Sequence, residues 1–273
     1  MYKALFTDLD GTLFDDEKNI SSNNLEAINR IRDEGKIFSL CSGRQIDFVK
    51  GVNEKLGKHR YFIASNGGII YDHKNEEILF SSNMREERCK HLITYADKHD
   101  FLMLIDTTYG RYINDIDKAI STEIEFNEDV SDFVEKNDIV QISLCTEKLE
   151  DLNEIVSYIE DEAYDLAITS RFHAECKGKK YWTINVLNKS ASKGNAISGL
   201  CKYLRINMDD VVAVGDDLND SSMINMAGIG VAMDNAVPQV KDEADFITNN
   251  NNESGIAAVI DEFFWKFENK EGA

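Results

Sequence analysis

Apolar positions recur along this chain in two rhythms. Ala4 to Thr7 is a short apolar run ending in acids, and it predicts a buried strand. Ser21-Ser22-Asn23-Asn24 then offers helix caps, with Leu25, Ile28 and Ile31 at helical spacing up to Gly35. Ile37 to Cys41 predicts the next strand, stopped by Ser42-Gly43. Gln45 to Leu56 predicts a helix closed by Gly57, and Tyr61 to Ala64 a third strand. Strands alternating with helices of this length predict an α/β fold with a doubly wound parallel sheet.

The rhythm changes near residue 82. A helix over 85–99 precedes an apolar run over 101–105, a strand Ile139–Cys145, a helix over 147–160, and strands Ala167–Cys176 and Tyr181–Leu187. Lys177-Gly178-Lys179-Lys180 between the last two is turn-forming and predicts an antiparallel hairpin. This block reads as an α+β domain over 83–188 inserted between 1–82 and 189–273. The first rhythm resumes with a helix over 193–204, strands Val211–Val214 and Ile229–Ala232, and a last helix over 254–267. Pro238 is the one proline, and no repeat or low-complexity linker appears.

At 273 residues and 42% hydrophobic, the chain can bury a sizeable core. Its formal charge of -20 repels nucleic acid and anionic membranes at long range, so neither is expected as a partner. A small anion is not excluded, because one metal ion and a few bases reverse the potential locally. The five cysteines are scattered with no CxxC pair, and the five histidines show no HxH or HExxH spacing. The start, Met1 to Thr12, reads directly into a strand without a signal segment, and no run nears the length of a membrane helix. The expected compartment is reducing and cytoplasmic.

Acids gather where strands end. Asp8-Leu9-Asp10-Gly11-Thr12 follows the first strand, at the sheet edge where open α/β folds bind ligands. Alternation turns Asp8 and Asp10 toward one side, and two converging carboxylates need a cation or proton between them. Gly215-Asp216-Asp217-Leu218-Asn219-Asp220 repeats the pattern after another strand. Together they suit Mg²⁺, which prefers hard oxygen ligands; Asn219 or Asp220 could equally cap a helix over 221–227. Ser42-Gly43-Arg44 ends a strand and opens a helix, where a hydroxyl and free N–H groups suit a phosphate oxygen. Lys193 sits near a helix start, ordinarily the place of a solvated charge.

Taken in order, Asp8-x-Asp10-Gly11-Thr12, Ser42-Gly43-Arg44, Lys193 and Gly215-Asp216-x-x-Asn219-Asp220 resemble the four motifs of the haloacid dehalogenase superfamily. The large insertion, Ala64-Ser65-Asn66-Gly67-Gly68 and the tail resemble its Cof-like group. The resemblance implies a Rossmann-like core with a cap, and a Mg²⁺-dependent phosphatase acting on small phosphorylated metabolites through a phospho-aspartate. Asp8 would be the nucleophile and Asp10 the acid and base. Asp8, the Asp10 carbonyl and Asp216 would be the metal ligands. Ser42, Gly43, Lys193 and Asn219 would be phosphate contacts, with Asp220 behind them. Asp10 sets hydrolysis apart from relatives with threonine at that position. A phosphomutase or a non-catalytic phosphometabolite sensor is the alternative. Arg44, Arg171, His173 and Arg111 are candidate substrate contacts from charge alone, with sugar phosphates or phosphorylated cofactors as substrates. The expected assembly is a monomer or small homo-oligomer.

Overall fold

The computed structural model describes residues 2–119, 123–176 and 178–265, with the side chains of 170–176 outside that description. The chain begins with β1 (Ala4–Thr7), α1 (Ser22–Asp33), β2 (Ile37–Cys41), α2 (Ile46–Lys55), β3 (Tyr61–Ala64), β4 (Ile69–Asp72) and β5 (Glu77–Ser81). Then come α3 (Glu86–Lys98), β6 (Leu102–Thr107), β7 (Gly110–Ile113), β8 (Ile124–Glu125), α4 (Val130–Lys136), β9 (Ile139–Thr146), α5 (Leu149–Asp161), β10 (Leu166–Cys176) and β11 (Lys179–Asn188). It closes with α6 (Lys193–Leu204), β12 (Val211–Gly215), α7 (Ser221–Met226), β13 (Ile229–Ala232), α8 (Pro238–Glu243), β14 (Phe246–Ile247) and α9 (Gly255–Ile260). Two compact units result: Phe80–Ala191, and the two flanking segments together.

The flanking segments form a sheet of order β14-β13-β12-β1-β2-β3-β4-β5. β1 pairs in parallel with both β12 and β2, so its four residues are buried on both faces and read Ala-Leu-Phe-Thr without alternation. β3 and β4 pair antiparallel, giving a Rossmann-like parallel core with an antiparallel extension. α1 starts where Ser21 accepts from the Asn24 N–H at 3.2 Å, and it turns Ala27, Ile28 and Ile31 inward. The last helix runs as α9 to Ile260 and continues as a π-helical segment to Trp265, and residues 266–267 of the expected helix lie outside the described residues.

The second unit has a six-stranded sheet, β10-β11-β9-β6-β7-β8, antiparallel except between β7 and β8. Strand alternation splits it by face. Met103, Ile105, Ile142, Leu144, Ile184 and Val186 join the apolar residues of α3, α4 and α5 in one core. Leu102, Ile113, Cys145 and Tyr181 form a smaller cluster of their own. Cys41, Cys89, Cys145 and Cys201 are buried and form no disulfide.

Candidate active site

Register brings the acids together. Thr7 lies opposite Val214 in the β1–β12 pair, and the Asp8 N–H donates to the Val214 carbonyl at 3.0 Å. Asp8 and Asp216 therefore leave adjacent parallel strands side by side. Oxygens of Asp8, Asp216 and Asp220 all lie within 4.8 Å of one another. Lys193, at the first turn of α6, is fully buried rather than solvated. Its Nζ donates to Asp8 Oδ1 at 2.6 Å and makes a short contact with Asp220 Oδ1. A buried ammonium is tolerated only with such partners.

Asp220 does not cap α7 with its side chain. Its Oδ2 accepts from the Asp216 and Asp217 N–H groups at 2.9 and 3.1 Å, while Oδ1 faces Lys193. The demand of a buried cation has overridden local capping, and Asp217 caps the preceding turn instead. Asp216 Oδ1 accepts from Thr12 Oγ1 at 2.7 Å. Gly11 has φ +78°, and a Cβ there would collide with the Asp216 carboxylate. Its carbonyl accepts from Asn235 Nδ2 at 2.7 Å.

Electrostatics follow from crowding. Burial, then repulsion from Asp220 and Asp216, pushes the Asp8 carboxyl up to about 8 against the pull of Lys193. Burial and Asp220 raise Asp216 to about 7, against the Thr12 hydrogen bond and Lys193. Burial works against the Lys193 charge, but Asp220 and Asp8 outweigh it and hold its pKa above the ordinary lysine value. The donors are all carboxylate oxygens, and two of these groups resist ionisation together. That set fits a hard divalent cation.

Asp10 stands apart from this cluster. Its carboxylate receives Arg44 Nε at 2.7 Å and Nη2 at 2.9 Å, a bidentate pair, and Lys18 Nζ at 2.9 Å. Burial would raise its pKa, but these cations prevail and hold it at about 2. Arg44 is thus placed on Asp10.

Ser42 is buried after β2, and its Oγ accepts from the Arg44 N–H at 3.2 Å. The helix opens where the sequence placed it: Gln45 caps α2 through the Asp47 N–H at 2.6 Å. A Cβ on Gly43 would press on Asn66, whose Oδ1 accepts from Asn219 Nδ2 at 2.9 Å. In the second unit, Arg111 donates to Asp106 at 2.5 and 3.0 Å, and Gln141 joins the same carboxylate at 3.1 Å. Arg171 and His173 fall on β10 where side chains lie outside the described residues.

The sequence assigns no role to Thr12, Lys18, Asn66 or Asn235, which the structure brings to these groups. Thr12 and Asn66 stand inside motifs already singled out. Lys18 and Asn235 carry no local signal, since loops bring them to the site.

The carboxyl-edge acid cluster on a Rossmann-like sheet, interrupted by an α+β insertion, defines a class of hydrolases. The chain belongs to the haloacid dehalogenase-like hydrolases, whose family model matches residues 5–260. Within that family it is a phosphatase. It is 30% identical over 266 residues to YkrA of Bacillus subtilis, whose phosphatase name is provisional, covering 95% of this chain and 97% of that one. It is 27% identical over 281 residues to 5-amino-6-(5-phospho-D-ribitylamino)uracil phosphatase YwtE of the same organism, covering 95% and 97%. A haloacid dehalogenase-like hydrolase from Bacteroides thetaiotaomicron superimposes with a TM-score of 0.80 at 25% identity, over 97% of this chain and 100% of that one.

Proposed function

We propose that this phosphatase is cytoplasmic, depends on Mg²⁺, and hydrolyses small phosphomonoesters, sugar phosphates or phosphorylated cofactors, through a phospho-aspartate on Asp8. The observation that carries the reading is the buried Lys193 bridging Asp8 and Asp220 beside Asp216. Among the described residues no helix is long and apolar enough to cross a membrane. Phosphatase relatives such as YwtE support a small phosphorylated substrate.

Asp8 is the nucleophile. Its Oδ attacks phosphorus in line, the P–O bond to the alcohol breaks, and an acyl-phosphate forms. Lys193 holds Asp8 in place and offsets charge on the transferring group, with the Ser42 hydroxyl and the Gly43 backbone beside it. Asp8, the Asp10 carbonyl and Asp216 would hold Mg²⁺, with Asp220 and Asn219 fixing the groups behind them. When bound, the ion supplies Lewis-acid relief of the negative charge that nucleophile and phosphate share. Asp10 delivers a proton to the departing oxygen, then takes one from the water that attacks the acyl-phosphate. The resting ion pair suits the second task. The first requires Arg44 and Lys18 to turn from Asp10 toward the incoming phosphate.

Phosphate release from p-nitrophenyl phosphate, with and without Mg²⁺, tests this. Asp8→Asn is expected to lose at least ~10³-fold. Wild-type turnover by that variant, or turnover indifferent to chelator, overturns the reading.

A further inference from the structure

Three loops of the first unit meet beside the acid cluster, and side-chain amides join them. The turn after β1 carries Asp10, Gly11 and Thr12, and the Phe14 N–H closes it on the Leu9 carbonyl at 2.8 Å. Gly11 is its softest point. A residue without Cβ rotates at little cost, so the Gly11 dihedrals do not by themselves set the direction of the Asp10 carbonyl or of Thr12. A tie from outside does. Asn235, in the loop after β13, donates from Nδ2 to the Gly11 carbonyl at 2.7 Å, and its Oδ1 accepts from the Asn251 N–H at 3.0 Å. An acceptor on one side and a donor on the other leave that amide a single orientation. Asn251, 5% exposed, reaches the same turn with its side chain: Nδ2 donates to the Phe14 carbonyl at 3.1 Å and to Asp16 Oδ1 at 3.0 Å.

The loop bearing Asn235 also holds the other strand end. The Met233 N–H donates to the Gly215 carbonyl and the Val237 N–H to the Asp216 carbonyl, both at 3.0 Å. Residues 233–237 thus grip the exit of β1 by a side chain and the exit of β12 by main chain. Little slack lies between the two grips. Gly11 packs so closely on the Asp216 carboxylate that a Cβ would not fit, and Thr12 donates to the same group. Asparagine in an exposed turn commonly serves only its own backbone. Asn235 is exposed, yet both of its amide atoms are engaged by other loops.

We propose that Asn235 is a positioning residue for the metal site: by fixing the Gly11 carbonyl, it holds the Asp10 carbonyl at the separation from Asp216 that one divalent cation requires. The inference rests on the reading of Asp8, the Asp10 carbonyl and Asp216 as ligands of Mg²⁺. That ion tolerates little departure from octahedral geometry, so a shift of one oxygen weakens binding without unfolding the protein. Asn251 supports Asn235 through its main-chain N–H, a contact that survives removal of the Asn251 side chain. Asn252 ties the same loop farther on, exchanging hydrogen bonds with Asp16 at 3.1 and 3.2 Å, and its side chain does not bond to Gly11.

The test measures the Mg²⁺ dissociation constant by calorimetric titration, and the melting temperature in chelator, for the wild type, Asn235→Ala, Asn251→Ala and Asn252→Ala. Asn235→Ala is expected to weaken Mg²⁺ binding at least ~5-fold, the scale of one lost hydrogen bond. Asn251→Ala strips bonds from a buried carbonyl and is expected to lower the melting temperature most, while keeping Mg²⁺ binding within about 2-fold of wild type. Asn252→Ala is expected to leave Mg²⁺ binding within the same range. A merely structural role would make affinity follow stability across the three variants. Affinities that track the melting temperatures, or an Asn235→Ala constant within about 2-fold of wild type, overturn the proposal while leaving the metal reading intact. No Mg²⁺ binding by the wild type, together with phosphate release indifferent to chelator, would instead remove the reading beneath it.

Discussion

At the scale of single residues, charge inside a dry site decides most of what is seen. Lys193 is held by two carboxylates at full burial, so removing its ammonium strands both of them. Lys193→Met is expected to destabilise the protein by about 3–5 kcal/mol, read as a lower urea midpoint at constant slope. A midpoint unchanged from wild type would show that the pair contributes nothing net. The sequence made Asp8, Asp216 and Asp220 visible because acids after apolar strands are rare and chemically expensive. It could not show that Lys193 would be buried, since a lysine at a helix start has no local mark of burial. Nor could it foresee Asp10 held by Lys18. That contact depends on a loop in which Asp15 Oδ1 accepts from the Glu17 and Asn19 N–H groups, leaving Lys18 in a left-handed conformation.

At the scale of elements, some apolar runs are legible in the sequence and others of the same length are not. β1, β2, β3, α6 and β13 lie where the apolar pattern put them. The apolar pattern assigns no element to β4, β5, β7, α8 or β14. They are two to six residues long and owe their order to neighbours rather than to propensity. The turn between β3 and β4 shows how tightly such a neighbour can fit. Ser65, Asn66 and Gly67 all have positive φ, and a Cβ on Gly67 would run into the Ser192 carbonyl at the start of α6. Gly67→Ala is therefore expected to destabilise by at least ~2 kcal/mol and to lower phosphatase activity by displacing Lys193. Thermal unfolding within a degree of wild type would show that the turn yields freely.

At the scale of the whole molecule, buried titratable groups couple folding to pH. His59 is buried against Phe38, and desolvation, then the nearby Arg32 charge, lower its pKa to about 4. The unfolded chain, with His59 near its ordinary value, binds the proton more readily. Stability from this group is complete above about pH 6.5 and is lost as pH falls toward 4, by at most about 3 kcal/mol. His59→Leu should flatten that part of the stability curve, and an unchanged slope would refute the assignment. Asp8 and Asp216 act in the opposite sense. With folded values raised, the chelated protein holds protons that the unfolded chain releases, so its stability falls as pH rises from about 4 to about 8. Mg²⁺ should raise the melting temperature more at pH 8 than at pH 5. An equal shift at both would show that these carboxylates do not bind it.

The strand order also has a temporal meaning. β1 is made well before β12, one of its two partners, and Thr12 meets Asp216 across 204 positions of chain. A ribosome must complete the whole inserted unit before Lys193, Asp216 and Asp220 emerge. Until then Asp8 exists without its ammonium or its companion carboxylates. The growing polypeptide therefore carries Asp8 well before the carboxylates that complete the cluster around it.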